Sequence, residues 1–187
     1  MSDGKTSVAD RFLGLLRPIE RDLEIYCRRL IFEPSEAPDA IQNAVLRAYR
    51  AFDRYHEDAS FRAWMFSILT NEVFALNRRR SRIARFEVAA EPGEMDLLAG
   101  REDCAGEEAF QSWETLSEAL DQDLVAALKS LNEHEQAVLL MRAVGQLRYR
   151  EISQSLDIPL GSVMGHLSRA RRKMRDSILR AKRRTTR

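Results

Sequence analysis

Along nearly the whole chain apolar residues recur at intervals of three and four, and this period constrains the fold more than any other feature. Val8, Phe12, Leu15, Leu16, Ile19, Leu23, Tyr26 and Leu30 form one stripe, and Ile41, Val45, Ala48 and Phe52 a second. Phe61, Trp64, Met65, Ile68, Leu69, Val73 and Leu76 form a third, and Trp113, Leu116, Leu120, Leu124 and Leu128 a fourth. Such spacing gathers residues on one side of an α-helix, whereas a half-buried strand would need strict alternation. No run of alternating β-branched residues stands out, and only 8 Gly and 5 Pro interrupt 187 residues. The expectation is an all-α chain of two small helical domains. Pro18 falls inside the first stripe, where its missing N–H predicts a break.

The formal net charge is only +1, yet the charges are segregated. Residues 87–108 carry eight acids against one base, Arg101, while residues 169–187 carry ten bases against one acid, Asp176. A second basic knot gathers Arg78, Arg79, Arg80, Arg82 and Arg85. Cations concentrated at two distant places suit a polyanion, although a basic C-terminus alone is compatible with a solvated tail. Cys27 and Cys104 lack metal-ligand spacing, and His56, His134 and His166 are scattered. Acids do not cluster at metal-ligand spacing around either basic region, so a nuclease is not expected, and no metal, cofactor or small-molecule substrate is expected either. No apolar run approaches membrane-spanning length and residues 1–10 are polar, so the expectation is a cytoplasmic chain without membrane insertion.

The third stripe predicts a helix from residue 61 to about 82, preceded by a short loop over 55–60. Ser67, Thr70, Asn71, Phe74 and Arg78 follow i, i+3, i+4, i+7 and i+11, and so would share one face. A polar and aromatic strip ending in arginines suits single-stranded nucleic acid, whose bases stack and whose phosphates pair with cations. An ordinary solvent-facing strip would have the same spacing, and periodicity does not separate the two. Residues 86–108, with Pro92, Gly93, Gly100 and Gly106, read as an acidic linker.

Near the C-terminus, Asn132 and Glu135 form a capping-box pattern at a helix start, and Gly145 is placed to end that helix. Residues 149–156 predict a short helix, Asp157 and Ile158 a turn, and Pro159 the opening of another helix. In this last helix Val163, Leu167, Ala170 and Met174 must face the bundle. The wheel then turns Gly161, Ser162, Gly165, Ser168, Arg169 and Arg172 outward. Two short helices joined by a tight turn, the second presenting small residues and arginines, fit a helix-turn-helix whose second helix enters the major groove. Arg169 could donate two hydrogen bonds to guanine, with Ser168 reaching phosphate or base. Arg171, Lys173 and Arg175 would serve phosphates. A plain helical hairpin with a basic surface is the competing reading.

Two segments resemble the extracytoplasmic-function sigma factors of bacterial RNA polymerase. Residues 39–53, followed by Ser60, Phe61, Arg62, Ala63, Trp64 and on to Asn71, look like sigma region 2. Residues 131–140, the Tyr149 to Ile152 tetrapeptide, residues 158–163 and the basic run 169–174 look like sigma region 4. The resemblance implies region 2 over residues 1–85, a linker over 86–112 and region 4 over 113–187. It implies that Asp39, Gln42, Asn43, Leu46 and Arg47 dock on the β′ clamp of core RNA polymerase. It further implies that His56, Asp58, Ser60, Phe61, Ser67, Thr70, Asn71, Phe74 and Arg78 capture the melted minus-10 element. Ser162, Met164, Gly165, Ser168, Arg169, Arg172 and Lys173 would meet the minus-35 element. Promoter DNA, core polymerase (β′ clamp and β flap) and an anti-sigma factor are the implied partners, and catalysis belongs to the polymerase. The chain departs from the family at Asn43, where an acid is usual, and at Met164, Gly165 and His166, where two cations are lost. A stand-alone helix-turn-helix regulator would account for residues 130–175 but leaves the Phe61–Trp64 segment without a purpose.

Overall fold

The computed structural model describes residues 7–56, 60–88 and 122–185. Among these, every regular element is helical. Helix α1 (Val8–Leu16) starts in a capping box: the Ser7 hydroxyl accepts from the Asp10 N–H, and the Asp10 carboxylate accepts from the Ser7 N–H. The break expected at Pro18 is a single 3₁₀ turn, Arg17–Ile19, that leads into α2 (Glu20–Leu30). After a second 3₁₀ turn, Pro34–Glu36, α3 runs Ala37–Arg50 with Pro38 in its first turn, where no N–H is missed. Helix α4 covers Phe61–Val88, beyond the expected end near residue 82.

The inner face of α3 is not the one its larger apolar residues suggest. Ala37, Ala40, Ala44 and Ala48 are fully buried, while Ile41 and Val45 flank the core half-buried. Methyl groups at this spacing let α3 lie close against α2 and α4. The end of α3 is fixed by an aromatic cluster in which Phe12 meets Tyr49, Phe52 and Phe61 edge-on at 5.2–5.8 Å. Each such pair contributes about 0.5–1.5 kcal/mol beyond its buried area.

The second group begins with α5 (Gln122–Lys129), whose Leu124 and Leu128 are buried as expected. Trp113, Leu116 and Leu120, from the same stripe, lie outside the described residues, as do Cys104, Asp58 and the linker from residue 89 onward. Helix α6 (Glu133–Ala143) opens with the expected box between Asn132 and Glu135. It is buried on nearly all sides from Glu135 to Met141, since α8 and α2 both pack on it. Its end differs from the sequence reading: the left-handed residue is Gln146 (φ 53°), not Gly145. Gly145 is required for space instead, because a Cβ there would sit 2.7 Å from the Met141 carbonyl and 3.0 Å from the Phe66 ring. Helices α7 (Tyr149–Leu156) and α8 (Leu160–Thr185) complete the group.

The two groups pack on each other, α6 against α2 and α4, and α7 against α4. Two hydroxyls reciprocate across this seam: Ser67 donates to the Ser155 carbonyl at 3.0 Å, and Ser155 to the Ala63 carbonyl at 3.1 Å. Arg62 donates to Asp22 (2.5 Å) and to the Gly145 carbonyl (3.4 Å). Gln136 donates to the Arg29 carbonyl. Buried Asn77 donates to the Leu30 carbonyl and to Glu133, both at 3.2 Å, and accepts from the Phe32 N–H at 3.0 Å. Pairing these groups avoids the roughly 1–3 kcal/mol that each would cost if left unsatisfied in the seam.

Candidate nucleic-acid and polymerase interfaces

On α3, Asp39, Gln42, Asn43, Leu46 and Arg47 are all exposed; Asp39, Gln42 and Leu46 point away from the alanine stripe, and Asn43 and Arg47 flank it. Leu46 and Tyr49 are large apolar residues left 44% and 43% accessible there. Arg47 reaches across to Glu72 of α4 at 2.5 Å, which fixes one edge of the face.

The strip expected on α4 is divided by the fold. Asn71 and Arg78 are exposed, but Thr70 is fully buried, bonded to the Tyr26 hydroxyl at 2.7 Å and back to the Phe66 carbonyl at 2.6 Å. Burial raises the Tyr26 phenol pKa well above its ordinary value, so the group stays protonated and available to this bond. Phe74 is also buried, its ring 5.4 Å from that of His134 on α6, and Ser67 is held by the seam. The expectation that all five share an open face is therefore corrected: a 28-residue helix packed by α2, α3 and the second group has little free circumference. Phe61, also expected at the nucleic-acid face, belongs to the aromatic core. Ser60 caps α4 by accepting from the Ala63 N–H at 3.2 Å, and His56 is exposed. Cys27 is buried, and desolvation pushes its thiol up to about 12, leaving it inert.

In the helix-turn-helix, α7 ends at Asp157 in the left-handed conformation (φ 52°), where its N–H donates to the Ser153 carbonyl. The Ser153 hydroxyl closes the turn on the Ile158 carbonyl at 2.6 Å. Asp tolerates this backbone better than most residues. Val163, Leu167, Ala170 and Met174 are buried as the spacing requires. Outward lie Gly161, Met164 and Arg172, with Ser162 and Ser168 half-exposed. Gly165 is a second correction: it is buried beneath the Arg169 guanidinium. Arg169 and Lys173 turn inward to Glu135 of α6, at 3.5 and 2.7 Å. Sequence reasoning missed three cations, Arg142, Arg148 and Arg150. They surround Tyr149, Leu160 and Met164 in an open recess of about 510 Å³ at the start of α8, and the Arg142 guanidinium lies 5.6 Å over the Tyr149 ring. Their isolation from any basic run hid them, because only the turn brings residues 142 and 150 beside 164.

Among the described residues, no helix is long and apolar enough to cross a membrane. Residues 15–83 match the model of sigma-70 region 2, and residues 121–174 that of sigma-70 region 4. The ECF RNA polymerase sigma-E factor of Escherichia coli K12 is 28% identical over 138 residues, spanning 73% of this chain and 70% of the relative. The ECF RNA polymerase sigma factor SigE of Mycolicibacterium smegmatis is 30% identical over 148 residues, 79% of this chain but 54% of the relative. Among solved structures, the sigma factor RpoE bound to the anti-sigma factor NepR from Bartonella quintana superposes with a TM-score of 0.69. It is 18% identical, with 90% of this chain and 96% of that one covered. CnrH in complex with the cytosolic domain of CnrY gives 0.61 at 23% identity, covering 91% and 88%. Two sigma regions in this order on an all-helical frame, with relatives of one kind along most of the chain, place it in the ECF group of the sigma-70 family.

Proposed function

We propose that the chain binds core RNA polymerase through the outer face of α3, captures melted minus-10 DNA from the α4 side and reads the minus-35 element with α8. One observation carries this reading: a polar α3 face backed by alanines and a helix-turn-helix rimmed by arginines coexist on the two segments that match sigma regions 2 and 4. Residues 1–85 and 113–187 form the two functional units and 86–112 joins them. His56, Asp58, Ser60, Asn71 and Arg78 meet the melted strand directly. Ser67, Thr70, Phe74 and Phe61 support that surface, and Ser67 and Phe74 become accessible only when the second group lifts away. At the minus-35 element Ser162, Met164 and Ser168 face bases, and Arg142, Arg148, Arg150 and Arg172 grip phosphates, giving affinity without sequence information. The polymerase supplies all catalysis. Because a relative of the same overall shape was captured with an anti-sigma factor, a protein of that kind is a further partner for this chain.

The test is transcription by core polymerase, with and without the chain, over a promoter library. Chain-dependent initiation at sites sharing two spaced elements is expected. Duplex binding with no association to core would overturn the reading in favour of a stand-alone regulator.

A further inference from the structure

We infer that Glu135 is a positioning residue that withdraws Arg169 and Lys173 from the DNA-facing side of α8, and so limits how many of its cations promoter phosphates can engage. The inference rests on α8 being the helix that meets duplex DNA. Glu135 lies on α6, is 1% exposed, and faces α8 with both carboxylate oxygens occupied. Oε1 pairs with Arg169 at 3.5 Å; Oε2 pairs with Lys173 at 2.7 Å and accepts the Asn132 N–H at 3.2 Å. Arg169 is held from a second side, donating to His166 Nδ1 at 3.2 Å. Arginine has no acceptor, so that nitrogen must be the unprotonated one. The guanidinium folds back over Gly165, where a Cβ would stand 3.2 Å from Arg169 Nη1 and push it aside by a few tenths of an ångström. Gly165 and His166 together make the seat into which Arg169 retracts.

A cation already paired with a buried carboxylate releases no counterion when DNA arrives, whereas a free one does. Each phosphate neutralised changes the slope of log K against log salt by about 0.9. Arg172, exposed one position from Lys173, is the internal comparison.

The measurement is the salt dependence of holoenzyme binding to a promoter duplex chosen with the unmodified chain. Arg172→Gln should flatten the slope by about 0.9, while Arg169→Gln and Lys173→Gln leave it nearly unchanged. Glu135→Gln keeps the capping role, since Gln serves that position as well. By freeing the two cations it should steepen the slope by up to about 1.8 and weaken discrimination between matched and mutated upstream elements. If Glu135→Gln fails to fold, the three cation variants decide alone. Arg169→Gln flattening the slope as much as Arg172→Gln would overturn the assignment of Glu135. No effect of Arg172→Gln would instead overturn the reading of α8 itself, and the inference with it.

Discussion

Helix α3 and helix α4 carry similar amounts of polar surface in sequence, but they occupy different places in the bundle. Helix α3 lies at the edge, seated on four alanines, and presents Asp39, Gln42, Asn43, Leu46 and Arg47 together to solvent. Helix α4 is central. Its polar Thr70 and Asn77 turn inward and are satisfied by Tyr26, Leu30 and Glu133, leaving Asn71 and Arg78 outside. A polar residue on an edge helix reports a surface, whereas one on a central helix more often reports a buried partner.

The largest way to strain that comparison is at the core shared by both groups. Phe66 is fully buried, meets Tyr26 edge-on at 5.0 Å and touches the site of Gly145. Phe66→Ala should cost about 3–5 kcal/mol, read by chemical denaturation. Separate transitions for the two groups in the unmodified chain would break the picture of α4 as their common centre. Next, Thr70→Val should cost about 1–3 kcal/mol by stranding the Tyr26 hydroxyl. Its neighbour Asn71→Ala should change stability by less than about 0.5 kcal/mol yet impair open-complex formation more than duplex binding. Equal stability losses at the two positions would erase the distinction between inner and outer polar residues.

A smaller effect is expected with acid. Burial first, then Arg169 and His134, hold the His166 pKa below its ordinary value, and its ring stacks 5.7 Å from that of His134. The folded state thus binds fewer protons than the unfolded one near pH 6. The stabilisation is present above the ordinary histidine pKa of about 6.5 and is lost as pH falls through and below it. The Tm should therefore drop more between pH 7.5 and 5.5 than in His166→Gln; parallel drops would remove His166 as the cause. Smallest of all, Arg47→Gln removes the exposed partner of the half-buried Glu72 and should cost about 1 kcal/mol, while weakening binding to core polymerase. A marked loss of stability would mean that the α3 face serves the fold.

Much of the architecture was legible because spacing of three and four is a local property: the break at Pro18, the Asn132–Glu135 box and the inward set Val163, Leu167, Ala170 and Met174 are all where the sequence puts them. Phe61 heads the third apolar stripe, so its burial is legible there; that of Thr70 and Phe74 is not, since a wheel gives faces without saying which neighbours close over them. Nor could the wheel place Arg169, because Glu135 lies 34 positions away in sequence and only the packing of α6 on α8 joins them. Gly145, which the sequence places at a helix end, is a point of close approach between the groups.

The alanine stripe of α3 has a consequence for how such a chain can vary. Ala37, Ala40, Ala44 and Ala48 are fully buried, so a larger side chain at any of them would have to be overpacked into the core at a cost of about 1–3 kcal/mol. The outer face meets the rest of the fold at its margins, through the Arg47–Glu72 pair and the Tyr49 ring against Phe12. A change at Asp39, Gln42, Asn43 or Leu46 can therefore alter what docks on that side with little effect on folding: one helix separates two selective pressures that most surfaces must satisfy together.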